Sequence, residues 1–247
     1  LSGGTFNFAR LIDINGVFEV EDGGLFTYSY TNTNSRSSSI WNGTEKFHPN
    51  STFIIYNCQN SASFYVIQDV NDISPYPNAS GYCFGNFILD KSSGSGPTLF
   101  PNGFNNKFAA GDMIFRNAAN NVRWYGTPSA SNLTTTIGGN IIFENTFNQN
   151  VNIMTQTGLG AVNVTVLGNI TNNGTGNFSL VNISTASSPS VTFNVDGNIT
   201  VNSGGVLFNG GSGSAVVTGS TINLKGDLTV GANGLFANMN QNGGTSR

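Results

Sequence analysis

Gly139-Asn140-Ile141, Gly168-Asn169-Ile170, Gly197-Asn198-Ile199 and Gly226-Asp227-Leu228 recur along the chain, each marker glycine 29 residues after the one before. A constant period of this length is the signature of a solenoid, in which one repeat cannot bury its apolar side alone and stacking buries it continuously. Upstream, Gly111-Asp112-Met113 and Gly85-Asn86-Phe87 extend the series at steps of 28 and 26, and Gly43 and Gly16 are weaker members.

A stacked coil must present inward residues at fixed offsets, alternating with outward ones. Two residues before each glycine stand Ile14, Trp41, Cys83, Ala109, Ile137, Val166, Val195 and Leu224. Two after stand Phe18, Glu45, Phe87, Met113, Ile141, Ile170, Ile199 and Leu228, and four after stand Val20, Phe47, Leu89, Phe115, Phe143, Asn172, Val201 and Val230. Glu45 and Asn172 alone break these columns. A further column ten after the glycine holds Phe26, Phe53, Phe178, Leu207 and Phe236, and blurs in the coils that begin at Gly85, Gly111 and Gly139.

Each coil therefore reads strand, Gly-Asn corner, strand, turn, strand. The second turn is exemplified by Asp22-Gly23-Gly24, Asn202-Ser203-Gly204-Gly205 and Gly231-Ala232-Asn233-Gly234, where residues tolerant of positive φ let the chain bend sharply. The Asn or Asp after the marker glycine is expected to stack as a ladder, its side chain bonded to local backbone. The expectation is an all-β, right-handed parallel β-helix of about eight coils with a period near 29, residues 1–247 forming one segment of a longer protein. A β-sandwich could use Gly-Asn turns too, but would not need the constant spacing.

Composition agrees. Only 9% of residues are charged while 38% are hydrophobic, and Asn outnumbers even the 32 glycines, so the polarity comes from small neutral side chains. With 9 basic and 12 acidic residues and one histidine, there is no cationic footprint for nucleic acid or an anionic membrane. No apolar run is long enough for a membrane helix.

Between Gly43 and Gly85 the chain carries 42 residues, more than a coil requires, which marks an insertion at about 58–84. Insertions on solenoids commonly carry recognition, and its aromatic residues Phe64, Tyr65, Tyr76 and Tyr82 are the candidate binding residues, against the alternative of a flap over the rod. Cys58 and Cys83 bracket it, either as a disulfide stapling its base or as two buried thiols.

Candidate chemistry is sparse. His48 has no identifiable nucleophile partner, no metal-ligand cluster is present, and the glycine-rich stretches precede strands rather than phosphate-binding helices, so no metal or cofactor is expected. One outward column, five after the glycine, holds Glu21, His48, Asp90, Arg116 and Glu144. Its alternating charges suit a salt-bridge ladder. The rival reading makes Asp90 and Glu144 paired acids of a polysaccharide-cleaving enzyme, spaced as in inverting glycosidases with Arg116 between them. Thr171, Thr200 and Thr229 also align, as an ice-binding face would require, but Ile142, Ile114 and Ile88 precede them.

Segments such as Gly197-Asn198-Ile199-Thr200-Val201-Asn202-Ser203-Gly204-Gly205 and Gly226-Asp227-Leu228-Thr229-Val230-Gly231-Ala232-Asn233-Gly234 resemble the β-helical repeats of very large secreted surface proteins of Gram-negative bacteria, particularly the Bacteroidota. The resemblance covers residues 137–240 best. It implies a stalk or adhesin displayed outside the cell, exported in some members by the type IX system and linked to gliding. The resulting expectation is a non-catalytic structural or adhesive segment, secreted or at the cell surface. Its partners would be neighbouring coils or domains of the same polypeptide, and surface glycans or other cells. A carbohydrate-active β-helix, either a degrading enzyme or a tailspike-like depolymerase, is the alternative.

Overall fold

The computed structural model describes residues 5–8, 17–29, 44–56, 64–65, 82–93, 98–99, 106–125, 133–154, 161–181, 190–209 and 220–237. Among these every element is a strand, and the strands pair in parallel. Numbered in chain order, the strands fall on three faces.

The first face contains β1 (Thr5–Phe8), β3 (Leu25–Tyr28), β5 (Thr52–Tyr56), β8 (Asn86–Lys91), β11 (Met113–Ala118), β14 (Ile141–Phe143), β17 (Ile170–Asn172) and the opening residues of β20 (Ile199–Asn209) and β22 (Leu228–Ala237). The second holds β7 (Tyr82–Phe84), β10 (Asn106–Ala109), β13 (Leu133–Ile137), β16 (Val162–Val166), β19 (Val191–Val195) and β21 (Ser220–Leu224). Next to β7 lies the separate pair β2 (Val17–Val20) and β4 (Thr44–Phe47), with the Phe47 and Phe84 rings 5.2 Å apart. The third face comprises β6 (Phe64–Tyr65), β9 (Thr98–Leu99), β12 (Val122–Tyr125), β15 (Val151–Met154), β18 (Asn177–Val181) and the closing residues of β20 and β22. This is a parallel β-solenoid.

The strict period is narrower than expected. On the second face Leu133, Val162, Val191 and Ser220 are successive partners 29 residues apart, so about four turns, rather than eight, obey the period. Earlier rungs join the same first-face sheet at other separations: Phe26, Phe53, Phe87 and Met113 are successive partners.

That register also corrects the alignment. Phe87, Met113, Ile141, Ile170, Ile199 and Leu228 do stack as one column, but below Phe87 the column continues through Phe53 and Phe26, not through Glu45 and Phe18. The first two marker glycines are thus one strand position out of phase, because Asp22-Gly23-Gly24 supplies the corner there that Gly-Asn supplies later. On the second face Phe84, not Cys83, partners Ala109. On the third, the blurred column resolves as Val122, Val151, Phe178, Val206 and Phe236, with Val206 where Leu207 was expected. Between Val201/Ser203 of β20 and Val230/Asn233 of β22 the register shifts by one residue, β22 carrying the extra one, which sets Val206 rather than Leu207 opposite Phe236.

The interior is a stack of side chains from all three faces. Ile141, Ile170, Ile199, Val164 and Phe193 are buried, and rings stack rung on rung, Phe53 over Phe84 at 5.1 Å and Phe115 over Phe143 at 4.9 Å. Asn172, the apparent defect in its column, is fully buried and satisfied. Its amide donates to the Gly176 and Gly205 carbonyls at 3.1 and 3.3 Å, and its oxygen accepts the Gly174 N–H at 3.1 Å. It ties the turn of its own coil to the next one.

Two glycines show why this residue is needed. Gly168 has no positive φ, but a Cβ there would stand 2.6 Å from both Asn140 Oδ1 and the Gly139 carbonyl, so the corner admits only hydrogen. Gly204 has φ +60° and would also drive a Cβ into the Gly176 carbonyl. The turns it and Gly234 were expected to form are bends inside continuous strands, with Gly204 and Gly234 paired in register.

Candidate functional site: the polar ladders of the first face

The corner residues form a ladder, though not with local backbone. The side-chain oxygen of Asn86 accepts the N–H of Asp112 at 2.9 Å, Asp112 that of Asn140, Asn140 that of Asn169, Asn169 that of Asn198 and Asn198 that of Asp227, the last four each at 2.8 Å. Each side chain therefore satisfies a backbone donor in the following rung, and backbone bonds run through the same corner, Gly168 N–H to Gly139 O at 3.0 Å among them. The arrangement fixes register between coils. It offers a ligand little, since each oxygen is already engaged.

At the far end of the same face the chain brings Asp90, Arg116 and Glu144 together. Arg116 donates to Glu144 through Nε at 2.8 Å and Nη2 at 3.1 Å, and its Nη1 lies 3.6 Å from Asp90. A β-bulge between Phe115 and Asn117 turns Arg116 outward and sets Asn117 opposite Asp90, to which its amide donates at 2.6 Å. The guanidinium is forked on Glu144, and that carboxylate pushes the Arg116 pKa further above its ordinary value. The expected salt-bridge ladder is present for these three residues.

Chemically, the guanidinium fills the space between the two carboxylates that an inverting hydrolase would leave for water. A shallow, open depression beside it is lined by Glu144, Asn145, Thr146 and Asn173. Among the described residues no group of three or more His, Cys, Asp or Glu side chains could hold a metal ion.

Glu21 and His48 do not join this column. His48 Nε2 instead meets Glu19 Oε1 at 2.8 Å, which holds the Glu19 carboxyl below its ordinary pKa. The position beneath Asp90 belongs to Tyr56, its register partner, half exposed on the surface. Tyr56 is the neighbour that the glycine alignment missed, and matching Phe53-Ile54-Ile55-Tyr56 to Phe87-Ile88-Leu89-Asp90 would have found it; Asn173, five after Gly168, shares the offset of Glu144.

The aromatic candidates among the described residues lie on strands of two different faces. Phe64 and Tyr65 form β6 and pair in register with Thr98 and Leu99, as a strand of the third face. Tyr82 lies in β7 of the second face with the Lys107 ammonium 5.3 Å from its ring centroid, and burial raises its pKa. Two segments of the expected insertion, residues 64–65 and 82–84, are thus rungs of the stack, while Tyr76 and Cys58 lie outside the described residues. Cys83 is a buried free thiol whose pKa burial pushes up to about 12.

Fold and surface together define a parallel β-solenoid with an amide ladder at one corner and an ion-paired ladder across one face. No protein-family model matches the chain, no curated protein is similar to it at a significant level, and no solved structure matches it.

Proposed function

We propose that this chain is a non-catalytic structural and adhesive segment of an extracellular bacterial surface protein. The observation that carries the reading is the pairing of Asp90, Arg116 and Glu144, which commits both carboxylates of the rival hydrolytic reading to a salt bridge. The regular Asn ladder supports a structural role, since it multiplies one inter-rung bond along the stack. The bacterial-surface assignment, with secretion and the Bacteroidota-type likeness, rests on the repeat sequences themselves.

The test has two arms. Purified protein incubated with a polysaccharide panel is expected to release no new reducing ends and no unsaturated products. Immobilised protein is expected to retain bacterial or host cells above an inert β-rich control. Polysaccharide cleavage abolished by both Asp90→Asn and Glu144→Gln would establish the carbohydrate-active enzyme instead. Absence of cell retention would leave a stalk without adhesion.

A further inference from the structure

We infer that the first face carries a binding strip for a neutral oligosaccharide, running across the rungs from Tyr56 to Asn173. The inference deepens the adhesive reading and rests on it. Tyr56 and Asp90 are register partners on β5 and β8. Arg116 follows on β11 and reaches both Asp90 and Glu144. Asn173, whose N–H bonds to the Phe143 carbonyl, comes one rung beyond Glu144, and Thr146 completes the depression between them. The line crosses four inter-rung steps, roughly 19 Å at about 4.8 Å each, and one step is close to the length of one pyranose residue.

The chemistry selects the ligand class. Tyr56 is 44% exposed at one end of the line and presents an amphipathic ring of the kind that supplies contact area at low entropic cost. Arg116 and Glu144 are each about a third exposed, at 37% and 34%, so their outer atoms can meet hydroxyls while their mutual bonds hold them still. Thr146 is similarly fixed, its hydroxyl donating to the Arg116 carbonyl at 2.7 Å. The strip thus offers fixed donors and acceptors interleaved, as a polyhydroxyl chain requires.

Charge decides between neutral and acidic glycans. The lone guanidinium is already shared by two carboxylates, so the strip carries a net charge of −1 and has no cation to spare for a uronate or sulfate. An acidic polymer would meet Asp90 and Glu144 and be repelled. The occupant is therefore an uncharged oligosaccharide of about four residues.

Isothermal titration against cellohexaose, laminarihexaose, xylohexaose and mannohexaose, with hexagalacturonate as the acidic control, tests the strip. At least one neutral probe is expected to bind and the acidic one not. Tyr56→Ala should weaken that binding at least about tenfold, as loss of an aromatic anchor does, while Tyr56→Phe retains it and the melting temperature of both variants stays near the parent's. Neutral-probe binding unchanged in Tyr56→Ala, preference for the acidic probe, or no binding of any neutral probe would each overturn the strip. Cell retention that survives Tyr56→Ala and Glu144→Gln would overturn the strip while leaving the adhesive reading intact.

Discussion

The same apolar column gives the sharpest contrast available at the level of single residues. Ile170 is 1% exposed between Ile141 and Ile199, whereas Leu228, three rungs along the same register from Ile141, is 43% exposed because no described rung covers it. A carboxylate at position 170 would be buried without a partner, at a cost of several kcal/mol. Ile170→Asp should therefore abolish folding, while Leu228→Asp should lower the melting temperature by only a few degrees. Circular dichroism melts of the two variants would refute the register if both behaved alike. Cys83 offers a second check, because a thiol with a pKa of about 12 is roughly one part in ten thousand thiolate at pH 8. In a Cys58→Ser background its alkylation should be slow in native buffer and complete within minutes in denaturant; rapid native labelling would show that the site is open.

Individual elements show what the sequence could and could not reveal. From Gly85 onward the inward columns of the first face were legible, because apolar alternation and the spacing of the corner glycines agree there, whereas the third-face column was not. The first two rungs were not, because two kinds of corner exist. Asp22-Gly23-Gly24 uses φ +76° at Gly23, whereas Gly139, Gly168 and Gly197 admit close backbone approach with no positive φ, and both kinds look like Gly-rich turns in sequence. The candidate site inherited this error: Asp90, Arg116 and Glu144 were placed together correctly, and His48 was assigned to their column when its partner is Glu19. That pair gives a pH signature. The folded-state pKa of Glu19 is lowered, chiefly by its hydrogen bond from His48, so its contribution is present above the unfolded value near 4.5 and is lost as pH falls through the lowered folded value. Both groups are partly exposed and solvent screens them, which limits the contribution to under about 1 kcal/mol. Urea midpoints for Glu19→Gln should lie slightly below the parent at neutral pH and converge with it on acidification, and a gap that widened in acid would contradict the pairing.

For the molecule as a whole, contacts made rung by rung imply that stability is a sum of nearest-neighbour terms rather than the property of one closed core. Where the period is constant, one rung can stand in for the next. Removing residues 168–196 would join Leu167 to Gly197 and set Ile199 on Ile141, Val201 on Phe143 and Ile222 on Val164, apolar against apolar in every case. The buried Asn172 leaves with the Gly174 and Gly176 backbone groups that it serves, so its only stranded partner is the Gly205 carbonyl. The shortened chain should fold with the parent's β-rich spectrum and melt no more than about 10 °C lower, the loss of one rung interface worth a few kcal/mol at about 2–4 °C per kcal/mol. Failure to fold would mean that the coils are held by long-range packing that a solenoid does not possess, and the constant 29-residue period would then need another cause.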